Sequence, residues 1–173
     1  MSCALTQGYL LDCQSGFGGV KEVYIMEFAN ATTITPTAGV ITVLTKATGK
    51  SFFKYNLIAH TGEADETLTR NRENGTQSSK QSVKFPINKM TTSVRNELLL
   101  LAQNFLLIVV VDANGTGWLY GYENGMVLES VAGKTGKALA DRNGYELVFG
   151  SDEKNLAYAL DPTVLSALLT AGV

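Results

Sequence analysis

The sequence predicts a mainly β (α+β) fold, an antiparallel β-sandwich or half-barrel. One packed internal helix, a long projecting β-hairpin loop and a short C-terminal helix complete it. Three observations predict this class. Apolar residues change from helical to strand spacing within residues 91–131, short alternating segments are separated by Gly-containing turns, and 173 residues with 45% hydrophobic content suffice for one core. About seven to nine strands are expected, in antiparallel order.

The internal helix is predicted from apolar spacing just after residue 90. Val94, Leu98, Leu101 and Phe105 follow one another at intervals of four, three and four. This spacing places the four side chains on one helical stripe. A hydroxyl residue among positions 91–93 can cap the helix start.

A buried strand and a meander are predicted directly after this helix. Residues 105–111 form an unbroken apolar run, typical of a strand covered on both faces. Residues 118–122 and 126–131 follow, separated by Asn124-Gly125, and Asn-Gly is a strong hairpin signal. We therefore expect consecutive antiparallel neighbours here.

The chain before residue 50 predicts an arm, two strands and a loop. Residues 1–21 form a polar, Gly-rich N-terminal arm that contains both cysteines, and residues 22–173 form a single domain. Residues 21–28 alternate with apolar side chains on both faces, which predicts a central strand. Residues 29–39 read as a Thr-rich loop and residues 40–45 as a second strand.

A projecting hairpin is predicted between residues 52 and 87. Two alternating segments would form its stem, and the polar residues 60–81 between them are longer than a compact domain needs. Pro86 would place the second segment at an edge or a strand end. The predicted stem residues are Phe52, Phe53, Tyr55, Val83, Phe85 and Ile87.

Opposite charges divide the polar loop at residues 60–81 into two halves. The acidic half precedes the basic half, and either a solvated loop or an arm ordered against another copy fits this pattern. In the second case the charges complement the neighbouring copy. The candidate assembly residues are Glu63, Asp65, Glu66, Arg70, Arg72 and Lys80.

The last part of the chain predicts one strand and a terminal helix. Tyr145, Leu147 and Phe149 alternate on one strand face, after an Asn-Gly turn. Asp161 followed by Pro162 is a helix start signal, because Asp caps and Pro suits the first helical position.

The sequence offers no constellation for catalysis, and we predict neither an enzyme nor a cofactor or metal site. The single histidine, His60, has no partner motif. Cys3 and Cys13 provide too few ligands for a zinc site, whether they are free thiols or a disulfide. Lys134 follows a glycine, but position 129, where a phosphate-binding loop needs another glycine, holds Glu129.

Three aromatic side chains and the overall charge bear on binding. Trp118, Tyr120 and Tyr122 share one predicted strand face, as a core or inter-subunit stripe or as a stacking surface. The net charge of −2 and a pI near 5.4 give no electrostatic footprint for nucleic acid. No run of about 18 apolar residues exists, so no membrane association is expected.

The order of elements resembles that of bacteriophage tail tube proteins. Strands, a long polar hairpin loop, a helix starting near Thr91 and a Gly-punctuated meander follow one another over about residues 22–160. Residues 141–149 resemble the last core strand of such proteins. The opening through Cys13, with residues 18–24, is similar to small structural proteins from phages of Bacteroidota, including crAss-like phages.

This resemblance implies a virion structural protein. Six identical subunits would form a ring whose inner sheets join into a barrel, and rings would stack. Residues 60–81 would be the arm to the next ring, and DNA would pass through a smooth, non-basic lumen without specific binding. Further partners would be other phage tail or neck proteins. The location would be the virion tail, after synthesis in the host cytoplasm.

Two alternatives remain open. One is a head-tail connector, neck or short-tail ring protein of the same virion, which differs in whether identical rings stack. The other is a carbohydrate-binding or adhesive β-sandwich that exposes Trp118, Tyr120 and Tyr122.

Overall fold

The computed structural model describes residues 8–9 and 16–170, and it is mainly β, with 52% strand and 14% helix in two sheets and two helices. The predicted mainly β, sandwich-like fold is thereby confirmed. The helices are α1 Thr92–Gln103 and α2 Pro162–Thr170. The strands are β1 Val20–Glu27, β2 Ala31–Thr37, β3 Val40–Lys46, β4 Phe53–Asn56, β5 Glu63–Arg70, β6 Gln77–Asn88, β7 Leu106–Asp112, β8 Gly117–Tyr120, β9 Val127–Lys134, β10 Gly144–Glu153 and β11 Tyr158–Leu160.

The larger sheet has seven strands in the order β2-β3-β11-β8-β7-β1-β4. Strands β7 and β1 are neighbours in the interior of this sheet, and residues 106–111 and 23–26 are buried on both faces. The unbroken apolar run of β7 and the two apolar faces of β1 predicted this position correctly. Apolar side chains project from both faces of these two strands. The larger sheet therefore lies between two apolar layers.

The smaller sheet has four strands in the order β5-β6-β10-β9, and all its pairings are antiparallel. It covers one face of the larger sheet. Phe85 of β6 and Phe149 of β10 stack with their ring centroids 5.6 Å apart. The ring centroid of Tyr55, on β4, lies 5.8 Å from that of Phe85. These rings fill the space between the two sheets.

Helix α2 covers part of the opposite face of the larger sheet. Leu165 and Leu168 are buried against a second apolar cluster that includes Tyr24, Met26 and Val109. Asp161 caps this helix, since its Oδ1 accepts a hydrogen bond from the Thr163 backbone N–H at 2.8 Å. The predicted Asp-Pro helix start is confirmed.

Helix α1 packs against the cluster between the sheets. Thr91 is its N-cap, with the side-chain oxygen accepting from the Val94 backbone N–H at 3.3 Å, and Leu98 and Leu101 are buried. Phe105, expected on the same stripe, lies beyond the helix end and is exposed.

The structure corrects three local predictions. Residues 29–39 are not a loop, because they hold a short 3-10 turn and β2, a Thr-rich edge strand paired with β3. The strands before and after Asn124-Gly125 do not pair, because β8 belongs to the larger sheet and β9 to the smaller one. The described strands number eleven rather than seven to nine, and β11 pairs parallel with β3.

The predicted hairpin stem is also wrong in its pairing. Residue Phe53 lies on β4, which pairs with β1, whereas Val83 lies on β6, which pairs with β5 and β10. The two predicted stem strands therefore face each other across the core instead of forming one ladder. This affects all six predicted stem residues: Phe52, Phe53, Tyr55, Val83, Phe85 and Ile87.

The first strand begins inside the predicted N-terminal arm of residues 1–21. Strand β1 begins at Val20, and the Gly19 carbonyl accepts a hydrogen bond from the Ala113 N–H at 3.0 Å. Cys3 and Cys13 lie outside the described residues.

Candidate assembly surface

The candidate functional surface is the smaller sheet, with its edge strands β5 and β9. Strand β5 pairs with β6 from Glu63 opposite Lys84 to Arg70 opposite Gln77. Most of the residues 60–81 therefore belong to a sheet. The last residue pair between β10 and β6 is Glu153 opposite Ser79. Only residues 69–78 of the β5–β6 hairpin extend beyond this pair.

Three of the predicted assembly residues have partners within the chain. The Lys84 Nζ lies 3.0 Å from Asp65 Oδ2 and 3.6 Å from Glu63 Oε2. A hydrogen bond to Asp65, together with attraction to both carboxylates, raises the pKa of Lys84. Glu66 Oε2 accepts a hydrogen bond from the Ala157 backbone N–H at 2.7 Å, which ties β5 to the segment before β11.

All six assembly residues are exposed, and the three basic ones differ from Glu63 and Asp65 in lacking an ionic partner among the described residues. Arg70, Arg72 and Lys80 are exposed and form no ion pair with any described residue. The structure thus separates the predicted set into acids with partners inside the chain and bases without them.

Strand β9, which the sequence did not single out as a site, is the second edge of this sheet. Seven of its eight residues are exposed. Its Lys134 Nζ lies 3.7 Å from Glu146 Oε2 of β10. A bulge between Val148 and Phe149 of β10 leaves Glu129 outside the ladder, with its carboxylate over Gly150, where any side chain would collide with it.

An exposed apolar residue lies on each edge, on the face directed toward the larger sheet. Leu68 of β5 is 46% exposed, and Val131 of β9 is 40% exposed. Leu68 pairs with the buried Ser79, and Val131 pairs with the buried Leu147. Both edges therefore leave part of the core face uncovered.

The opposite face of the smaller sheet is polar and mildly acidic. Side chains alternate across the ladders, so one residue in two points away from the core. This face carries five carboxylates and three ammonium groups, a net charge of −2. These charged residues are Glu63, Asp65, Lys80, Lys84, Glu129, Lys134, Glu146 and Asp152.

The edges of the larger sheet are less open to pairing. Strand β2 contains Pro36, which lacks a backbone donor. Strand β4 has only four residues, and its Lys54 Nζ pairs with Glu22 Oε1 of β1 at 2.8 Å. Burial opposes ionisation of Glu22, but hydrogen bonds from Lys54 and Tyr24 outweigh it and lower the Glu22 pKa.

The aromatic trio does not form the common face that we expected. Trp118 and Tyr120 contact the cluster between the sheets, whereas Tyr122 contacts the cluster on the other side of the larger sheet. Gly121, with φ +77°, turns the chain between them. The Tyr122 ring meets Tyr158 edge-on, with centroids 5.0 Å apart.

The described residues contain no group of three or more His, Cys, Asp or Glu side chains that could hold a metal ion. Gly133 and Lys134 lie in β9 rather than in a phosphate-binding loop. Within residues 8–9 and 16–170, neither helix has the length and apolar character needed to cross a bilayer. Comparison with protein-family models, with curated proteins and with solved structures found no match for this chain.

Proposed function

We propose that this chain is a virion structural protein, a bacteriophage tail tube subunit that assembles with identical copies into rings around a DNA conduit. The single observation that carries the proposal is that the smaller sheet ends in two exposed edges with matching side chains. The order of elements resembles that of tail tube proteins, and this resemblance indicates which kind of assembly we propose.

Strand directions favour closure by head-to-tail pairing. The four strands of the smaller sheet are successively antiparallel, so β5 and β9 run in opposite directions. When one copy is rotated onto the next, β9 of the first meets β5 of the second as an antiparallel pair. Such heterologous contacts close into a ring and remove both exposed edges.

Side chains on the two edges select one register for this pairing. Placing Leu68 opposite Val131 joins the two exposed apolar residues on the core face. The same register places Asp65 opposite Lys134 on the polar face, and cross-strand pairs of opposite charge are worth about 0.2–1 kcal/mol each.

The neighbouring registers fit less well. A slip of two residues sets Val131 opposite either Glu66 or Arg70, which puts a charge beside an apolar side chain. A slip of one residue turns every side chain to the wrong face. The matching register is therefore the one that we propose.

The polar face of the smaller sheet suits a DNA conduit. In a closed ring it would line the lumen, and its net charge of −2 per copy would repel phosphate rather than bind it. A polymer that has to slide through needs a surface of this kind.

A connector, neck or short-tail ring protein is the second candidate, and the length of the hairpin favours it. Only residues 69–78 reach past the end of β10, which is a shorter arm than the predicted residues 60–81. A short arm gives less contact between stacked rings, whereas the edge pairing within one ring is unchanged.

Charge exchange tests the edge pairing. Asp65→Lys and Lys134→Asp should each weaken ring formation, because each places like charges opposite one another. The double variant should restore rings by exchanging the pair. Lys137→Asp, with the same charge change in the loop after β9, is the matched control and should assemble normally.

Negative-stain electron microscopy and light scattering after size exclusion report the outcome. Rings alone support a connector, and stacked rings support a tube. Monomers at every concentration would contradict self-assembly. Rings that form equally in both single variants would show that other strands make the contact.

A further inference from the structure

The chain contains four Asn-Gly pairs, and each could in principle undergo the same self-modification. The backbone nitrogen of the glycine attacks the Asn side-chain carbonyl carbon, closes a five-membered imide and releases ammonia. A glycine favours this because no Cβ shields its nitrogen. The four pairs begin at Asn74, Asn114, Asn124 and Asn143.

We propose that Asn74, at the tip of the β5–β6 hairpin, is the site where this chain deamidates spontaneously, while the fold protects the other three. The proposal stands apart from self-assembly. It follows from the hydrogen bonds and the packing around the four side-chain amides and their glycines.

Asn114 is held at both ends of its amide. Its Oδ1 accepts from the Phe17 N–H at 2.8 Å, and its Nδ2 donates to the Phe17 carbonyl at 3.0 Å. The Gly115 N–H donates to the Asp112 carbonyl at 3.1 Å. Neither the carbonyl carbon nor the nucleophile is free to move toward the other.

Asn124 and Asn143 are each hydrogen-bonded to a segment distant in the sequence. Asn124 Nδ2 donates to the Asp152 carbonyl, and the Gly125 N–H donates to the Gly121 carbonyl at 3.2 Å. Asn143 Oδ1 accepts from the Met90 N–H at 3.3 Å. Its glycine, Gly144, begins β10 between β6 and β9, where a Cβ would lie 2.2 Å from the Ile87 carbonyl oxygen.

Asn74 differs in its nucleophile, and its side-chain amide is bonded within its own turn instead of to a distant segment of the chain. The Gly75 N–H donates no hydrogen bond within the described residues, and no heavy atom lies within 4 Å of the place of a Cβ. The Asn74 Oδ1 accepts two hydrogen bonds, from the Thr76 N–H at 3.1 Å and the Thr76 hydroxyl at 2.7 Å. Such donors polarise the carbonyl and stabilise the oxyanion that forms on attack.

The reaction balances with water as its only co-reactant. Hydroxide removes the Gly75 N–H proton, and the nitrogen bonds to the Asn74 Cγ. The C–NH₂ bond then breaks as the departing nitrogen takes a proton from water, which releases ammonia and regenerates the hydroxide. Water then opens the imide at either carbonyl, which leaves aspartate or isoaspartate. Glu73 and Arg72 flank the site, and the product adds one negative charge to the tip.

The test is incubation of the full chain in mildly alkaline buffer made with oxygen-18 water, followed by peptide mapping. The peptide that contains Asn74 should gain the carboxylate mass with one labelled oxygen before any other Asn-Gly peptide does. In denaturant all four should react at similar rates. Thr76→Val, which keeps the backbone donor but removes the hydroxyl, should slow Asn74 about fivefold, the rate equivalent of one hydrogen bond.

Two results would overturn the proposal. One is earlier conversion of Asn114, Asn124 or Asn143 in the folded protein. The other is a rate at Asn74 that is the same in the native and the Thr76→Val proteins. Asn74→Gln, whose attack would require a six-membered ring, is the control that should abolish the early product.

Discussion

Two tyrosines facing the space between the sheets carry the largest pKa changes among the described residues. Burial, with a contribution from Glu97, raises the pKa of Tyr55 to about 12. Burial, followed by the charges of Glu66, Asp65 and Asp112, raises the pKa of Tyr120 to about 12. Both side chains therefore favour the folded state only while they are neutral.

This gives a prediction for alkaline stability. A phenol with a folded pKa raised above its usual value of 10.0 contributes stability that is complete below pH 10 and is lost as the pH approaches 12. Tyr55→Phe should leave stability near neutral pH almost unchanged and should shift alkaline unfolding to higher pH. Denaturant titrations across this pH range measure it, and an unchanged alkaline transition would contradict the assignment.

A second residue-scale prediction concerns Gly144 at the start of β10. A Cβ there would lie 2.2 Å from the Ile87 carbonyl oxygen and 3.1 Å from the Asn88 Cα, and these backbone atoms cannot rotate away as the end of a side chain can. Gly144→Ala should lower the free energy of unfolding by about 1–3 kcal/mol. Gly18→Ala, with no heavy atom within 4 Å of its Cβ position, is the neutral control, and equal stability of both variants would refute the steric argument.

Among the elements, the connection from β8 to β9 decides how the chain passes between the sheets. Glu153 at the end of β10 is only 4% exposed. Its carboxylate accepts hydrogen bonds from the Glu123 N–H at 2.9 Å, the Asn124 N–H at 3.1 Å and the Ser151 hydroxyl at 2.9 Å. One side chain thus satisfies two adjacent backbone donors of this turn.

Removing this acceptor should therefore cost more than an ordinary surface change. Glu153→Ala should lower the free energy of unfolding by about 2–4 kcal/mol, because buried N–H groups lose their partner. Glu153→Gln keeps one acceptor and should cost less. Asp152→Ala, on the exposed side of the same strand, is the control and should change stability little. Chemical denaturation measures all three variants, and a loss for Glu153→Ala no larger than that for Asp152→Ala would contradict the prediction.

Local patterns predicted the elements better than their partners. The spacing of Val94, Leu98 and Leu101 predicted α1, and the apolar run of β7 predicted a strand in the interior of the larger sheet. Strand β2 was missed because Thr residues and Pro36 also suit loops. The pairing of β4 with β1 could not be read locally, since alternation defines a strand's faces but not its neighbour.

The candidate surface was predicted in part for the same reason. The charges of β5 were visible in the sequence, whereas the β9 edge depends on the order of strands in the finished sheet. Leu68 and Val131 have no sequence signal of their own. Only the two ladders show that both lie on one face at opposite edges.

For the whole molecule, the two sheets are joined by side-chain packing rather than by a continuous ladder. The described bridges between them are isolated, Val20 with Gly62 and Leu106 with Met126. The Phe85 ring lies between Tyr55 of the larger sheet and Phe149 of the smaller one. Packing of this ring should therefore set how cooperatively the sandwich unfolds.

Phe85→Ala should lower the free energy of unfolding by about 3–5 kcal/mol, since it removes a fully buried ring and leaves a cavity between the sheets. Amide hydrogen exchange should show lost protection in both sheets, because neither core face is covered without the other. Phe53→Ala, at a ring that is 63% exposed on β4, is the matched control and should change stability little. Lost protection confined to β6 and its neighbours would mean that the smaller sheet unfolds as an independent unit.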